Sequence, residues 1–141
     1  MQALARAPFH GRRIVICDYN ALLISVTGLL RMSGYCVFQA YDARAARELC
    51  HELPNIELLI LNTTGTGTDT PSLVRDIRAE HPKRPVLHIG TEALDGMPAD
   101  VPTLAESFTA DQLLQTVDAL IPERRTPPVD RPVAGRLIPL V

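Results

Sequence analysis

Nothing in these 141 residues supplies an excess of positive charge: 14 Lys and Arg stand against 16 Asp and Glu, a formal charge of −2. A chain so balanced presents no field for a polyanion, so nucleic-acid binding is not expected. No apolar run approaches the roughly 18 residues that a bilayer-spanning helix takes, and no membrane association is expected. Residues 1–13 carry Arg6, Arg12 and Arg13 but no apolar segment followed by a small-residue cleavage site, so no secretory leader is expected. The three cysteines, Cys17, Cys36 and Cys50, make no C-x-x-C pair and leave one over. Buried small hydrophobes in a reducing, cytoplasmic compartment are the expectation for them. His10, His51, His81 and His88 show no metal-ligand spacing; His88 falls within a strand, as a satisfied core histidine.

What is present is an ordinary globular composition, 46% hydrophobic and 21% charged, in a length that suits one well-cored domain. Residues 1–12 read as a lead-in. The β-branched run Ile14-Val15-Ile16 marks a first strand, and Asp18-Tyr19-Asn20 breaks it and offers helix caps. Leu22, Leu23, Val26, Leu29 and Leu30 recur at helical spacing up to Ser33-Gly34, with Gly34 fitting a helix C-terminus. Cys36–Ala40 is a second strand. Asp42 caps a helix over 43–52, whose inner stripe is Ala46, Leu49 and Cys50. Leu58–Asn62 is a third strand, apolar enough to be covered on both faces. Thr70 as cap followed by Pro71 in the first turn starts a helix with Leu73, Val74 and Ile77 inward, and His81-Pro82 ends it. Val86–Ile89 is a fourth strand and Val101–Leu104 a short fifth. Thr109 with Gln112 has capping-box spacing and opens a last helix carrying Leu113, Leu114, Val117, Leu120 and Ile121.

Strands alternating with helices imply a parallel sheet with helices on both faces. Five such repeats point to the flavodoxin-like, doubly wound order 2-1-3-4-5 over residues 13–121. Residues 122–141 differ: five prolines and four arginines suggest an extended, solvated tail, although Leu137-Ile138-Pro139-Leu140-Val141 is apolar enough to dock.

The segment Arg13–Asn20, the helix ending Ser33-Gly34-Tyr35, and Pro54–Gly65 together resemble the receiver domains of bacterial response regulators, over about residues 12–121. The resemblance implies a two-component or phosphorelay-type role and assigns positions to a phosphorylation site. Counting from Pro54, the phospho-accepting aspartate falls on Ile60. Counting back from Gly34-Tyr35, the acidic pair falls on Cys17 and Asp18. The residue whose backbone carbonyl helps to hold Mg²⁺ falls on Asn62. The hydroxyl residue that closes the fourth strand falls on Gly90, with Thr91 beside it, and the lysine falls on Glu106.

An aspartyl phosphate needs a carboxylate nucleophile and a hard cation, and Mg²⁺ usually takes one or two carboxylates. Ile60 cannot attack, Cys17 is a poor Mg²⁺ ligand, and Asp18 is the one carboxylate left. Asp18 reads as a helix cap or as a vestigial metal ligand. Glu106 reads as a repulsive stand-in for the lysine or as a solvated strand-end carboxylate. The expectation is a pseudo-receiver: not an enzyme, without cofactor or metal, binding a protein partner or a second copy of itself along the edge from the fourth strand to the final helix.

A second departure lies at 92–102, where Gly96, Pro98 and Pro102 fall within eleven residues. Proline inside a helix costs about 3 kcal/mol, so the family's fourth helix is expected to be missing or reduced to a turn. That predicts an uncovered apolar face including Leu87 or Ile89, to be covered by the loop, the tail or another chain. The Gly/Thr loop at 62–69 (Asn62-Thr63-Thr64-Gly65-Thr66-Gly67-Thr68-Asp69) supports a different reading, a flavodoxin-like binder of nucleotide, flavin or phosphate, because such loops present N–H groups to anions. It follows the third strand rather than the first and lacks a P-loop lysine, which favours an ordinary βα loop.

Overall fold

A computed structural model describes residues 11–18, 22–62 and 69–121. Five strands, β1 (Arg13–Asp18), β2 (Cys36–Ala40), β3 (Ile56–Asn62), β4 (Val86–Gly90) and β5 (Thr103–Ala105), form one parallel sheet in the order β2-β1-β3-β4-β5. Four helices connect them: α1 (Leu22–Met32), α2 (Ala43–Glu52), α3 (Thr70–Glu80) and α4 (Ala110–Leu120). This is the flavodoxin-like topology that the alternation of elements implies. None of these helices is long and apolar enough to cross a membrane.

Side chains alternate across a strand, so each central strand feeds two cores. Ile14, Ile16, Leu58, Ile60, Leu87 and Ile89 pack with Val26 and Leu30 of α1 and Leu113 and Val117 of α4. On the other face, Val15, Cys17, Leu59, Leu61 and Val86 meet Ala46 and Cys50 of α2 and Leu73, Val74 and Ile77 of α3. Each of these residues is buried.

The helix ends follow local chemistry. Asp42 accepts from Ala45 N at 2.7 Å, and Thr109 and Gln112 exchange both bonds of a capping box. The cap of α3 is Asp69, which accepts from Ser72 N at 3.1 Å. Thr70, read as the cap from the sequence, is instead the first helical residue and is buried. At the end of α1, Gly34 adopts φ 98°, which lets Tyr35 N reach Leu30 O at 3.1 Å. Tyr35 then donates its hydroxyl to Asp118 of α4, linking the two helices of that face.

Between β4 and β5 there is no helix. Residues 91–102 cross α3 as a run of turns, with Met97 N on Leu94 O and Val101 N on Pro98 O. Gly96, at φ 86°, lies against the side chain of Pro71 in the first turn of α3. Asp100 takes both terminal nitrogens of Arg78 near the end of α3, at 2.9 and 2.8 Å. Arg78 also donates to Arg84 O, so the replacement loop is fastened along the length of one helix. Strand β5 starts later than the sequence suggests because Pro102 has no N–H for the ladder. Its carbonyl accepts from His88 N instead. The expectation for the uncovered face also needs correction. Leu87 and Ile89 point toward α1 and α4 and are buried there, while Val86 belongs to the face that the loop covers with Met97 and Val101.

Candidate functional site

In open α/β sheets, ligands meet the carboxyl ends of the strands near the point where strand order reverses, here between β1 and β3. The register sets which residues meet. Ile60 lies beside Ile16 in β1 and Leu87 in β4, and Asp18 lies beside Asn62. Ile60 has no solvent exposure and belongs to the α1/α4 core. Asp18 and Asn62 are buried as well, and strand alternation places them on the Ile60 side of the sheet.

Cys17 does not join them. It faces α2 and α3, buried beside Leu61, and burial together with the nearby Asp42 carboxylate pushes its thiol up to about 12. It is therefore a neutral thiol at physiological pH. Gly90 is buried where β4 meets Ala105 of β5. Thr91 is exposed in the following bend, and Glu106 is half-buried in the turn after β5. The sequence-assigned positions thus divide into Ile60, Asp18 and Asn62 on one side, Cys17 on the other, and Gly90, Thr91 and Glu106 farther along the sheet. Residues 63–68, Tyr19 and Asn20, the lead-in up to residue 10 and the tail at 122–141 lie outside the described residues.

A divalent ion at such a site would find few donors. At the ends of β1 and β3 the side chains are Asp18, a neutral thiol turned away, an isoleucine and an amide. Asp42 and Asp69, the residues just before α2 and α3, are turned to cap those helices. A hard Mg²⁺ is poorly matched by one carboxylate and a buried aliphatic. Among the described residues, no three His, Cys, Asp or Glu side chains are grouped to hold a metal ion.

A polar feature that the sequence concealed lies one strand away. His88 is buried, and its Nδ1 is 3.0 Å from Thr103 Oγ1, across the β4–β5 pairing. Burial pulls its pKa below the ordinary 6.5, opposed by the Glu106 carboxylate. The sequence marked His88 as a core histidine, but it gave no sign of the partner, because the β5 register depends on where Pro102 ends the loop.

No protein-family model matches the sequence, and no curated protein does. Solved structures do. A receiver domain from the hybrid histidine kinase CckA superposes with a TM-score of 0.68 at 25% identity, covering 78% of this chain and 99% of that one. A response regulator receiver protein from Sinorhizobium medicae gives 0.70 at 21% identity, over 79% and 94%. One from Clostridium thermocellum gives 0.68 at 19%, over 78% and 94%.

The fold is receiver-like. Within that fold Ile60 holds its place by packing: two residues before the end of β3, its aliphatic side chain is shared between the sheet and two helices. The departure at 91–102 belongs to the same frame: the helix that the sequence led one to expect missing between β4 and β5 is absent, and the described residues form four helices.

Proposed function

We propose that this chain is a receiver-like signalling module of a bacterial two-component or phosphorelay-type system that acts by protein contact, without phosphorylation of its own. One observation carries the reading: Ile60, to which the resemblance assigns the reactive carboxylate, has no exposed surface and lies inside β3, two residues before its end at Asn62. An aliphatic side chain provides no nucleophile, and its burial leaves no open pocket at that point for a phosphate. The neutral, averted Cys17 and the single carboxylate of Asp18 support the same conclusion, since neither offsets phosphate charge as a divalent ion would.

Without a phosphoryl signal, output depends on surfaces that are already formed. The edge from β4 to α4 is the most altered part of the molecule. Its loop is fastened to α3 by Arg78 and Asp100 rather than built as a helix. It is the surface proposed to meet a protein partner or a second copy. Incubation with acetyl phosphate and Mg²⁺, followed by intact-mass measurement, tests the reading. No added phosphoryl mass is expected, and a stable phosphorylated species overturns it. Sedimentation over a range of concentrations tests self-association, with Leu104→Asp on β5 expected to shift any dimer toward monomer.

A further inference from the structure

Charge is segregated along this chain. Between Val86 and Ile121 there are six carboxylates, Glu92, Asp95, Asp100, Glu106, Asp111 and Asp118, and not one lysine or arginine. All but the half-buried Glu106 are exposed. Arg78 meets Asp100 and Tyr35 meets Asp118; among the described residues no cation pairs with the other four.

The same edge is apolar and open. Strand β5, only three residues long, is the outer strand of the sheet, and among the described residues it has no neighbour on its far side. Leu104, Phe108 and Leu114 pack on the core but stay partly exposed, and Leu94 is 36% exposed in the loop above. An acid-rimmed apolar strip along a strand edge suits a segment that carries arginines and aliphatic side chains together.

The sequence contains such a segment, joined directly to this edge. Residues 122–141 hold Arg124, Arg125, Arg131 and Arg136 against Glu123 and Asp130, and they run to Leu137-Ile138-Pro139-Leu140-Val141. The remainder of the chain carries 10 Lys and Arg against 14 Asp and Glu, so a second copy of the folded part offers no comparable cationic segment. Length is no obstacle. Returning along α4 takes about 16 Å at 1.5 Å per residue, and twenty proline-rich residues span up to about 60 Å. Attachment at Ile121 also sets the local concentration in the millimolar range, enough for weak contacts to persist.

We propose that the acidic β4–α4 edge is a docking face for an arginine-bearing, apolar-tipped segment, and that residues 122–141 of this chain occupy it. A protein partner using that edge must then displace the tail. This consequence rests on the interaction-module reading, whereas the docking itself does not.

Hydrogen exchange on the full chain tests it. Reversing the tail charges (Arg124→Glu, Arg125→Glu, Arg131→Glu, Arg136→Glu) is expected to raise exchange at amides 103–114 about tenfold, while amides 36–40 on the opposite sheet edge stay unchanged. Molar salt, which cuts the screening length to about 3 Å, is expected to produce the same pattern in the unaltered chain. Adding Asp95→Lys and Glu106→Lys to the reversed chain is expected to restore protection. Equal exchange in native and reversed chains, an equal rise at 36–40, or no recovery in the swapped chain each overturns the proposal. So does protection that vanishes on dilution, which places the tail on another copy. No phosphoryl donor or partner enters this experiment, so its failure leaves the proposed function standing.

Discussion

Ile16 and Ile60 lie side by side in β1 and β3, both without meaningful exposure, each two residues before the end of its strand and next to the point of reversed strand order. A carboxylate placed at either position would lose its water and gain little in return. Asp18 lies two residues beyond Ile16 on the same face and would repel it.

Restoring the residue that the resemblance requires is therefore expected to damage the protein rather than repair it. Ile60→Asp should lower the unfolding free energy by about 3 kcal/mol or more at neutral pH, while Ile60→Val should cost about 1 kcal/mol. Urea denaturation followed by circular dichroism measures both. The Asp variant is also expected to gain no mass with acetyl phosphate and Mg²⁺. An Ile60→Asp chain that keeps its stability and takes up phosphate would show that the pocket is still complete around one missing side chain.

Legibility from sequence varied with the range of the interaction. Caps at Asp42 and Thr109, the Gly34 turn and the strand order follow from local patterns, and the structure matches them. Proline and glycine spacing foretold the loss of a helix at 91–102. How the resulting loop is held was not legible, because Arg78 and Asp100 lie 22 positions apart and neither stands in a motif. The face of Leu87 and Ile89 was misjudged for lack of a register, which a strand of five residues buried on both faces does not announce. At the candidate site, the burial of Ile60 follows from the apolar run of β3, whereas its place as the phospho-acceptor position rests on the resemblance alone. That Cys17 and Ile60 lie on opposite faces depends on strand alternation fixed by the sheet as a whole.

The fastening of the loop gives a second prediction. Arg78→Ala removes a bidentate partner from Asp100 and a donor from Arg84 O. Asp100 is 66% exposed, so solvent screens much of the ion pair, and the overall loss should be about 1 kcal/mol. The larger effect is local: faster amide exchange over 94–101, with α1 and β1 unaffected. Arg78 holds the Asp100 carboxyl below its ordinary 3.8, so this contribution is complete above that pH and fades as acid carries the solution through the lower folded value. Arg78→Lys, which cannot make the two-pronged contact, should fall between the native chain and the alanine variant.

Two histidines are expected to pull stability in opposite directions with pH. His88 is buried and its pKa lies below 6.5, so between that lower value and 6.5 the unfolded chain binds the proton more readily. Acidification through this window therefore destabilises the fold. His51, exposed on α2, meets Glu80 of α3 at 2.7 Å, and the bond raises its pKa above 6.5. Its contribution is complete below 6.5 and is lost as pH rises through the folded value. Proton NMR titration should find His88 titrating below 6.5 and His51 above it. His88→Asn is expected to flatten the acid side of the stability profile, and His51→Gln the side above 6.5.

The thiols offer a check on the interior that needs no substitution. Cys17 has no exposure, and burial beside Asp42 holds its thiol near 12; Cys50 is buried and likewise raised. Attack by thiolate requires both deprotonation and access, and these two cysteines lack both. Cys36, at the start of the outer strand β2, is partly exposed. Native protein treated with iodoacetamide at mildly alkaline pH should thus be modified at Cys36, with Cys17 and Cys50 reacting only when denaturant is added. The slow rate at Cys17 then reports opening of the α2/α3 core. Rapid native labelling of Cys17 would mean that its side chain is not enclosed beside Leu61, and that the side of β1 facing away from Ile60 is open to solvent.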